Sequence, residues 1–257
     1  MDESLSVVRN CPIKVFSASG GGQSSRYFYP FKLESVTNSS ESVRETCLDY
    51  VIDSGISDPS ITNKEVLETA IERNATYVIP KDYLHDQKRT TESVREFLEL
   101  YEDSECSAKP LIPLQPPHDE HYKELSGFSH YALGGIKNEP PAEQIAAIER
   151  FREVAGSNVY VHALGMGGSL AFIRAVRSNP RLIDSVDLTT HEMATVNNKL
   201  PDKTWEQRRF RLPQGENSTA VRAGFAKAVL MNLNYMLSNE CNDELFNQLE
   251  AEAALSW

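Results

Sequence analysis

The sequence predicts an α/β protein built as a single domain, a (β/α)8 barrel of the TIM type with extra helices at its C-terminal end. Three observations predict it. Short apolar, β-branched runs recur at 13–16, 49–53, 76–80, 110–114, 130–134, 158–165 and 182–187. Helix-like stretches separate most of them, and strands alternating with helices build parallel βαβ units. Seven strands within 257 residues suit a closed barrel better than an open doubly wound sheet. The eighth strand is not evident.

The elements follow in order. Residues 1–48 form an N-terminal strand and loop region: "IKVF" at 13–16, then "ASGGGQSSR" at 18–26, loop-like by its Gly and Ser content, then an undecided polar stretch at 36–46. After the strand "DYVID", the segment 63–74 places Val66, Leu67, Ala70 and Ile71 on one helical face. Residues 91–103 do the same with Val94, Phe97, Leu98 and Tyr101. The helix over 141–156 opens on Pro141 and closes on Gly156. Another spans 168–180, and residues 217–254 read as two helices, the last acidic.

Apolar content of 40% and charged content of 25% are ordinary for a soluble globular protein. No stretch approaches the ~20 apolar residues of a membrane span, and the N-terminus lacks the basic and apolar regions of a signal peptide. An intracellular, cytoplasmic protein with no membrane contact is expected. Cys11, Cys47, Cys106 and Cys241 lie far apart with no CxxC pair, so free thiols are expected, with no structural zinc. His118 and His121 in "PPHDEHY" read as part of a solvated loop rather than as metal ligands. No cofactor is expected. The net charge of −11 argues against nucleic-acid binding by the whole surface. Residues 199–227 nevertheless hold seven basic residues against three acidic ones, among them Lys203, Arg208, Arg209 and Arg211. This basic segment, which opens the C-terminal region 199–257, is either a phosphate-binding patch or a solvated loop and helix start.

Barrel chemistry sits at the C-terminal ends of the strands, where the βα loops converge. Those ends read Asp53-Ser54-Gly55, Pro80-Lys81-Asp82, Leu114-Gln115, Leu133-Gly134-Gly135, Leu164-Gly165-Met166-Gly167 and Asp184-Ser185-Val186-Asp187. One such Asp is usually a helix cap or turn former. Several at consecutive strand ends need a ligand, a metal or shifted pKa values, because gathered carboxylates repel one another.

These segments resemble the tRNA-guanine transglycosylase superfamily, a (β/α)8 family that exchanges guanine in nucleic acid for a 7-deazaguanine. "DSG" at 53–55 resembles its Asp-Ser-Gly-Gly motif, and "ALGGI" at 132–136 its Gly-Gly-Leu motif. Asp82 and Gln115 fall where the family's base-reading Asp and Gln occur. "HALGMG" at 162–167 followed by "IDSVD" resembles its Leu-Met-Gly-Val-Gly and Phe-Asp-Cys-Val motifs. The resemblance covers residues from about 50 to 190. Ile56 replaces the second glycine of the first motif, and the Cys-x-Cys-x2-Cys…His zinc site is missing, since only Cys241 lies beyond residue 106. A compact, zinc-free chain is more similar to the DpdA-type branch, found in bacteria and viruses, which inserts 7-deazaguanines such as 7-cyano-7-deazaguanine into DNA.

The resemblance implies base exchange through a covalent Asp-glycosyl intermediate, with nucleic acid (DNA favoured over tRNA) and a free 7-deazaguanine base as partners. It leaves room for a homodimer or a partner subunit. By the resemblance Asp184 is the nucleophile. The chemistry alone does not distinguish it from Asp187: residues three apart in a strand face opposite sides, so only one can point into the site. Asp53 is the expected acid/base residue, its pKa raised by burial and nearby carboxylates. Asp82 would accept from N1–H and the 2-amino group, Gln115 would donate to O6, and Gly134 and Gly135 would offer backbone N–H groups. Ser54, Leu164, Gly165 and Asp187 complete the expected base-binding set, with Met166 as further apolar surface. Arg208, Arg209, Arg211 and Lys203 would hold the nucleic-acid backbone. Two alternatives compete with this reading: a catalytically silent nucleic-acid-binding relative, and an unrelated barrel enzyme that binds phosphate through the glycines at 165–168.

Overall fold

The computed structural model describes Val8 and residues 10–18, 24–55, 58–166, 170–189, 191, 199–201, 207–209 and 218–238. Among them, nine parallel strands form one nearly closed, TIM-barrel-like sheet. β1 (Lys14–Ala18), β2 (Phe31–Ser35), β3 (Asp49–Asp53) and β4 (Tyr77–Ile79) follow one another around the wall. β5 (Lys109–Pro110) and β6 (Ile112–Leu114) come next, then β7 (His130–Leu133), β8 (Tyr160–Ala163) and β9 (Ser185–Leu188). β9 pairs with β1, which brings the two ends of the chain's strand series together. The formal edges of the sheet are β5 and β6, and these are consecutive pieces of one run of chain. β5 bonds only to β4 and β6 only to β7, with Leu111 between them donating to Val78 O at 2.8 Å. Pro110 and Pro113 supply the reason: neither has an N–H, so this run cannot sustain an unbroken ladder on both sides.

The strand that sequence reading missed is β2. Its buried residues include Lys32 and Glu34, so "FKLES" does not read as a core strand. Leu33 faces the barrel interior with Phe16, Ala18, Val51, Tyr77, Ile79, Leu111 and Ala132. The alternate residues Lys32 and Glu34 therefore face outward. Lys32 Nζ donates to Tyr27 O at 2.7 Å and Thr46 Oγ1 at 2.6 Å, and Glu34 accepts from the Tyr50 hydroxyl at 2.8 Å. Partners of this kind are what allow charged groups to be buried. Among the described residues, the β1–β2 connection carries a 3-10 turn at Ser24–Arg26, and the β2–β3 connection carries α1 (Glu41–Arg44).

Elsewhere helices cover the wall: α2 (Asn63–Glu72), α3 (Gln87–Glu102), α4 (His118–Glu124), α5 (Pro141–Ala155), α6 (Leu170–Ser178) and, after β9, α7 (Ser218–Leu237). Thr62 and Glu65 start α2 with a reciprocal capping box, Glu65 N donating to Thr62 Oγ1 at 3.2 Å and Thr62 N to Glu65 Oε2 at 2.8 Å. α3 begins four residues before the expected start at 91. Asp86 caps it by accepting from Arg89 N at 3.0 Å, and its first turn, Gln-Lys-Arg-Thr, has no apolar residue to reveal it. α7 buries Ala226, Val229, Leu230, Leu233 and Met236 in the outer core. Its Asn234 Nδ2 donates to the Tyr29 hydroxyl at 2.8 Å, which itself donates to Val15 O in β1 at 2.9 Å. The second expected C-terminal helix lies outside the described residues. Among the described residues no helix is long and apolar enough to cross a membrane, and Cys11, Cys47 and Cys106 are free thiols.

A two-stranded antiparallel hairpin, β10 (Lys199–Pro201) with β11 (Gln207–Arg209), stands apart from the barrel sheet. Arg208 and Arg209 lie on β11. Lys203 and Arg211 fall outside the described residues.

Candidate active site at the barrel mouth

Asp53 ends β3, in register with Ile79 of the barrel interior, so its side chain points inward at the mouth. Its carboxyl is pushed up to about 7. Burial is the largest cause, followed by the charges of Asp82 and Asp187, while hydrogen bonds from the Gly55 and Ser54 backbone pull it back. Gly55 sits at φ +77°, and a Cβ there would come within 3.1 Å of Ser35 Cβ. The turn that brings these backbone groups to Asp53 therefore suits glycine. Ser54 is buried and its hydroxyl has no hydrogen-bond partner among the described residues.

Asp82 is held from both sides. Lys81 N donates to the buried Asn63 Oδ1 at 2.9 Å, and Tyr83 N donates to Thr90 Oγ1 at 3.0 Å. Gln115 Nε2 donates to Asp82 Oδ2 at 2.6 Å. Burial lifts the Asp82 carboxyl to about 6, against the pull of hydrogen bonds from its own backbone and from Gln115.

Gln115 is fully buried and its amide polarity is fixed. His85 N donates to Gln115 Oε1 at 3.0 Å, and a backbone N–H can only donate, so the carboxamide must present its NH2 toward Asp82. His85 adopts φ +58° to make this contact, a conformation uncommon for a residue with a Cβ. Two histidines support the arrangement. His121 Nδ1 accepts from Gln115 N at 2.9 Å while Nε2 meets Thr91 Oγ1 at 2.9 Å. His118 Nε2 donates to Gly134 O at 2.8 Å, and burial pushes its pKa down to about 4. Both lie on α4 and are buried, so the solvated-loop expectation for "PPHDEHY" was wrong. Their three-residue spacing, which puts both on one helix face, was the available signal. Among the described residues no three His, Cys, Asp or Glu side chains are grouped so as to hold a metal ion.

Gly134 has a different role from the one expected. The Gly134 N–H already donates to Leu114 O at 3.0 Å. What matters there is the missing side chain: a Cβ would lie 3.4 Å from Gln115 Nε2, 3.5 Å from Leu164 Cδ1 and 3.7 Å from Asp82 Oδ2. Gly135, at φ +79°, would place a Cβ 2.6 Å from Pro116 Cδ. Leu164 thus packs at the mouth, whereas Met166 is buried in the outer core.

The largest correction concerns the two aspartates of "IDSVD". β9 begins at Ser185, so Asp184 precedes the strand at its N-terminal end, away from the mouth. Its Oδ2 accepts from Val161 N at 2.8 Å and from Arg152 Nη2 at 2.9 Å, an ion pair that ties β8 and α5 together. The sequence motif had placed the strand three residues too early, and Asp184 is not part of the site. Asp187 is. It pairs in register with Phe16 of the barrel interior, so it points inward. Its Oδ1 accepts from Gly165 N at 2.6 Å and from His162 Nε2 at 3.2 Å, and His162 Nδ1 meets Ser185 Oγ at 2.8 Å. His162 and Ser185 were not anticipated; both are fully buried on neighbouring strands, beneath the carboxylate. The Gly165 N–H is thereby committed to Asp187 rather than to a phosphate.

The mouth can act on protons and on an electrophilic carbon. Asp53 can carry a proton near neutrality, Asp82 with Gln115 offers an acceptor beside a donor, and Asp187 keeps Oδ2 without a hydrogen-bond partner among the described residues. The raised pKa of Asp53 also has a stability consequence. The folded state binds this proton more tightly than the unfolded chain, so its contribution is full below about pH 4 and is lost as pH rises to about 7. Asp53→Asn should therefore raise the melting temperature at pH 8 and change it little at pH 4, at roughly 2–4 °C per kcal/mol for a domain of this size. An equal shift at both pH values in thermal melts would contradict the raised pKa. Compared with known protein families and with functionally characterised proteins, the sequence matches none.

Proposed function

We propose that this protein is a base-exchange transglycosylase that replaces a guanine in DNA by a 7-deazaguanine, with Asp187 in place of Asp184 as nucleophile. We read β5 and β6 as one stave, which makes the sheet a (β/α)8 barrel. The observation that carries the functional reading is the fixed polarity of the Gln115–Asp82 pair beside two further carboxylates. From that pair a ligand meets an N–H donor next to a carboxylate acceptor. Guanine and 7-deazaguanines present the complement, the O6 acceptor next to the N1–H and 2-amino donors. Adenine presents the reverse at both positions and is rejected twice.

The chemistry follows from the positions. Asp187 Oδ2 attacks C1′ of the target nucleotide and the C1′–N9 bond breaks. Its electron pair goes to the base, and protonated Asp53 delivers its proton to a ring nitrogen of the departing guanine. The incoming deazaguanine gives the equivalent N–H proton to the Asp53 carboxylate and attacks C1′. The ester C1′–O bond then breaks and Asp187 is restored. One residue alternates as acid and base, which is efficient when its pKa lies near the working pH, as at about 7 for Asp53. Reading the base needs Asp82 ionised, so activity should fall below its value of about 6 as well as above that of Asp53. The base must leave its stack to reach the mouth.

The reading is tested by incubating the protein with labelled guanine and, in parallel, duplex DNA and tRNA. Label in DNA supports it, label in tRNA moves the substrate to RNA, and label in neither leaves a catalytically silent relative.

A further inference from the structure

The mouth carries three carboxylates and, on the reading above, receives a polyanion. A phosphodiester flanks the sugar that Asp187 would attack, so a cation beside Asp187 would offset the repulsion. Lys137 packs against Gly165, the residue whose N–H holds Asp187. It lies on the loop between β7 and α5, and that loop is clamped by the buried Gln144 of α5, whose Nε2 donates to Ile136 O at 3.1 Å and Lys137 O at 3.0 Å. The side chain lies across Gly165. A Cβ on Gly165 would stand 2.9 Å from Lys137 Cδ and 3.4 Å from both Cγ and Cε. Gly165 sits at φ +67°, and its N–H is the one that holds Asp187 Oδ1 at 2.6 Å. The lysine stem thus crosses the backbone that holds the proposed nucleophile.

The Lys137 ammonium has no ion-pair or hydrogen-bond partner among the described residues. Two other cations that follow β4 are engaged. Lys81 Nζ, on the loop after the strand, donates to Pro59 O and Ile61 O, and the guanidinium of Arg89, in the first turn of α3, lies 3.9 Å from the centroid of the Tyr83 ring. The geometry points to Lys137 as the residue that takes the phosphodiester flanking the target nucleotide. It is a binding residue and touches no reacting atom. This assignment rests on the base-exchange reading of the mouth.

The test compares the unaltered protein with K137Q and K137R. Duplex DNA and a stem-loop RNA are titrated from about 50 to 500 mM salt, and free guanine binding is measured by calorimetry. Losing one phosphate contact flattens the logarithmic salt dependence on duplex DNA by about 0.9, which makes K137Q roughly 15-fold weaker at about 50 mM salt. K137R should retain the slope, and all three proteins should bind guanine alike. An unchanged slope in K137Q on both nucleic acids overturns the assignment while leaving the base-exchange reading intact. Loss of guanine binding in K137Q also overturns it, because the lysine would then serve the base pocket. If the unaltered protein binds neither guanine nor nucleic acid, the base-exchange reading fails and the assignment falls with it.

Discussion

Asp187→Asn abolishes base exchange, lowering kcat by roughly 10^4 or more, the scale on which loss of a covalent nucleophile is felt. The amide keeps the volume of the carboxylate but cannot form the glycosyl ester. Removing this charge also removes one of the causes that raise Asp53, so the Asp53 carboxyl should titrate lower in the variant. Asp184→Asn is the control that separates the two aspartates. Asp184 is part-exposed and pairs with Arg152 at the opposite end of β9, so its loss should cost about 1 kcal/mol of stability or less and leave kcat nearly unchanged. Steady-state kinetics and thermal melts on both variants check this. Full activity in Asp187→Asn with inactivity in Asp184→Asn would return the nucleophile to the position that the sequence motif favoured.

Asp82→Ala lowers kcat/KM for guanine by about 10^2 to 10^4, the equivalent of two charge-assisted hydrogen bonds at roughly 1.5–3 kcal/mol each. The more informative effect is on selectivity. With the carboxylate gone, N1–H and the 2-amino group lose their acceptor, and Gln115 Nε2 loses the partner that it holds at 2.6 Å. Discrimination between guanine and adenine should collapse accordingly. The fold should hold, because the variant deletes a carboxyl whose burial raises its pKa to about 6. Competition between the two free bases in the exchange assay measures the effect. Retained discrimination would remove Asp82 from the base-reading role.

The seven strands with apolar, β-branched runs were legible because an inward and an outward apolar face leave almost no polar residue in the strand. β2 was hidden because its outward face contacts a polar network of Tyr27, Thr46 and Tyr50 rather than a helix. Asp53, Asp82 and Gln115 were legible as polar residues at strand ends. Asp187 was seen but ranked second, because "LIDSVD" reads as a strand from Leu182 whereas the ladder begins at Ser185. A three-residue shift in a strand exchanges both face and end, which is enough to move a carboxylate from the mouth to the bottom of the barrel. Of the supporting shell, His118 and His121 left only the trace of their three-residue spacing, while His85, His162 and Ser185 were not legible: each of these three acts through a contact 23 or more residues away in sequence, and no local pattern encodes such a contact.

The central claim is that Asp187 forms a bond to the sugar of a nucleic-acid strand. Its most direct test is to mix the protein with a guanine-containing DNA duplex in the absence of incoming base, quench with denaturant and map the adducted peptide by mass spectrometry. The account predicts a DNA adduct on the peptide containing Asp187, formed only while Asp187 is intact and released by added 7-deazaguanine. An adduct on any other residue, or base exchange that proceeds at full rate with no adduct formed, would contradict it.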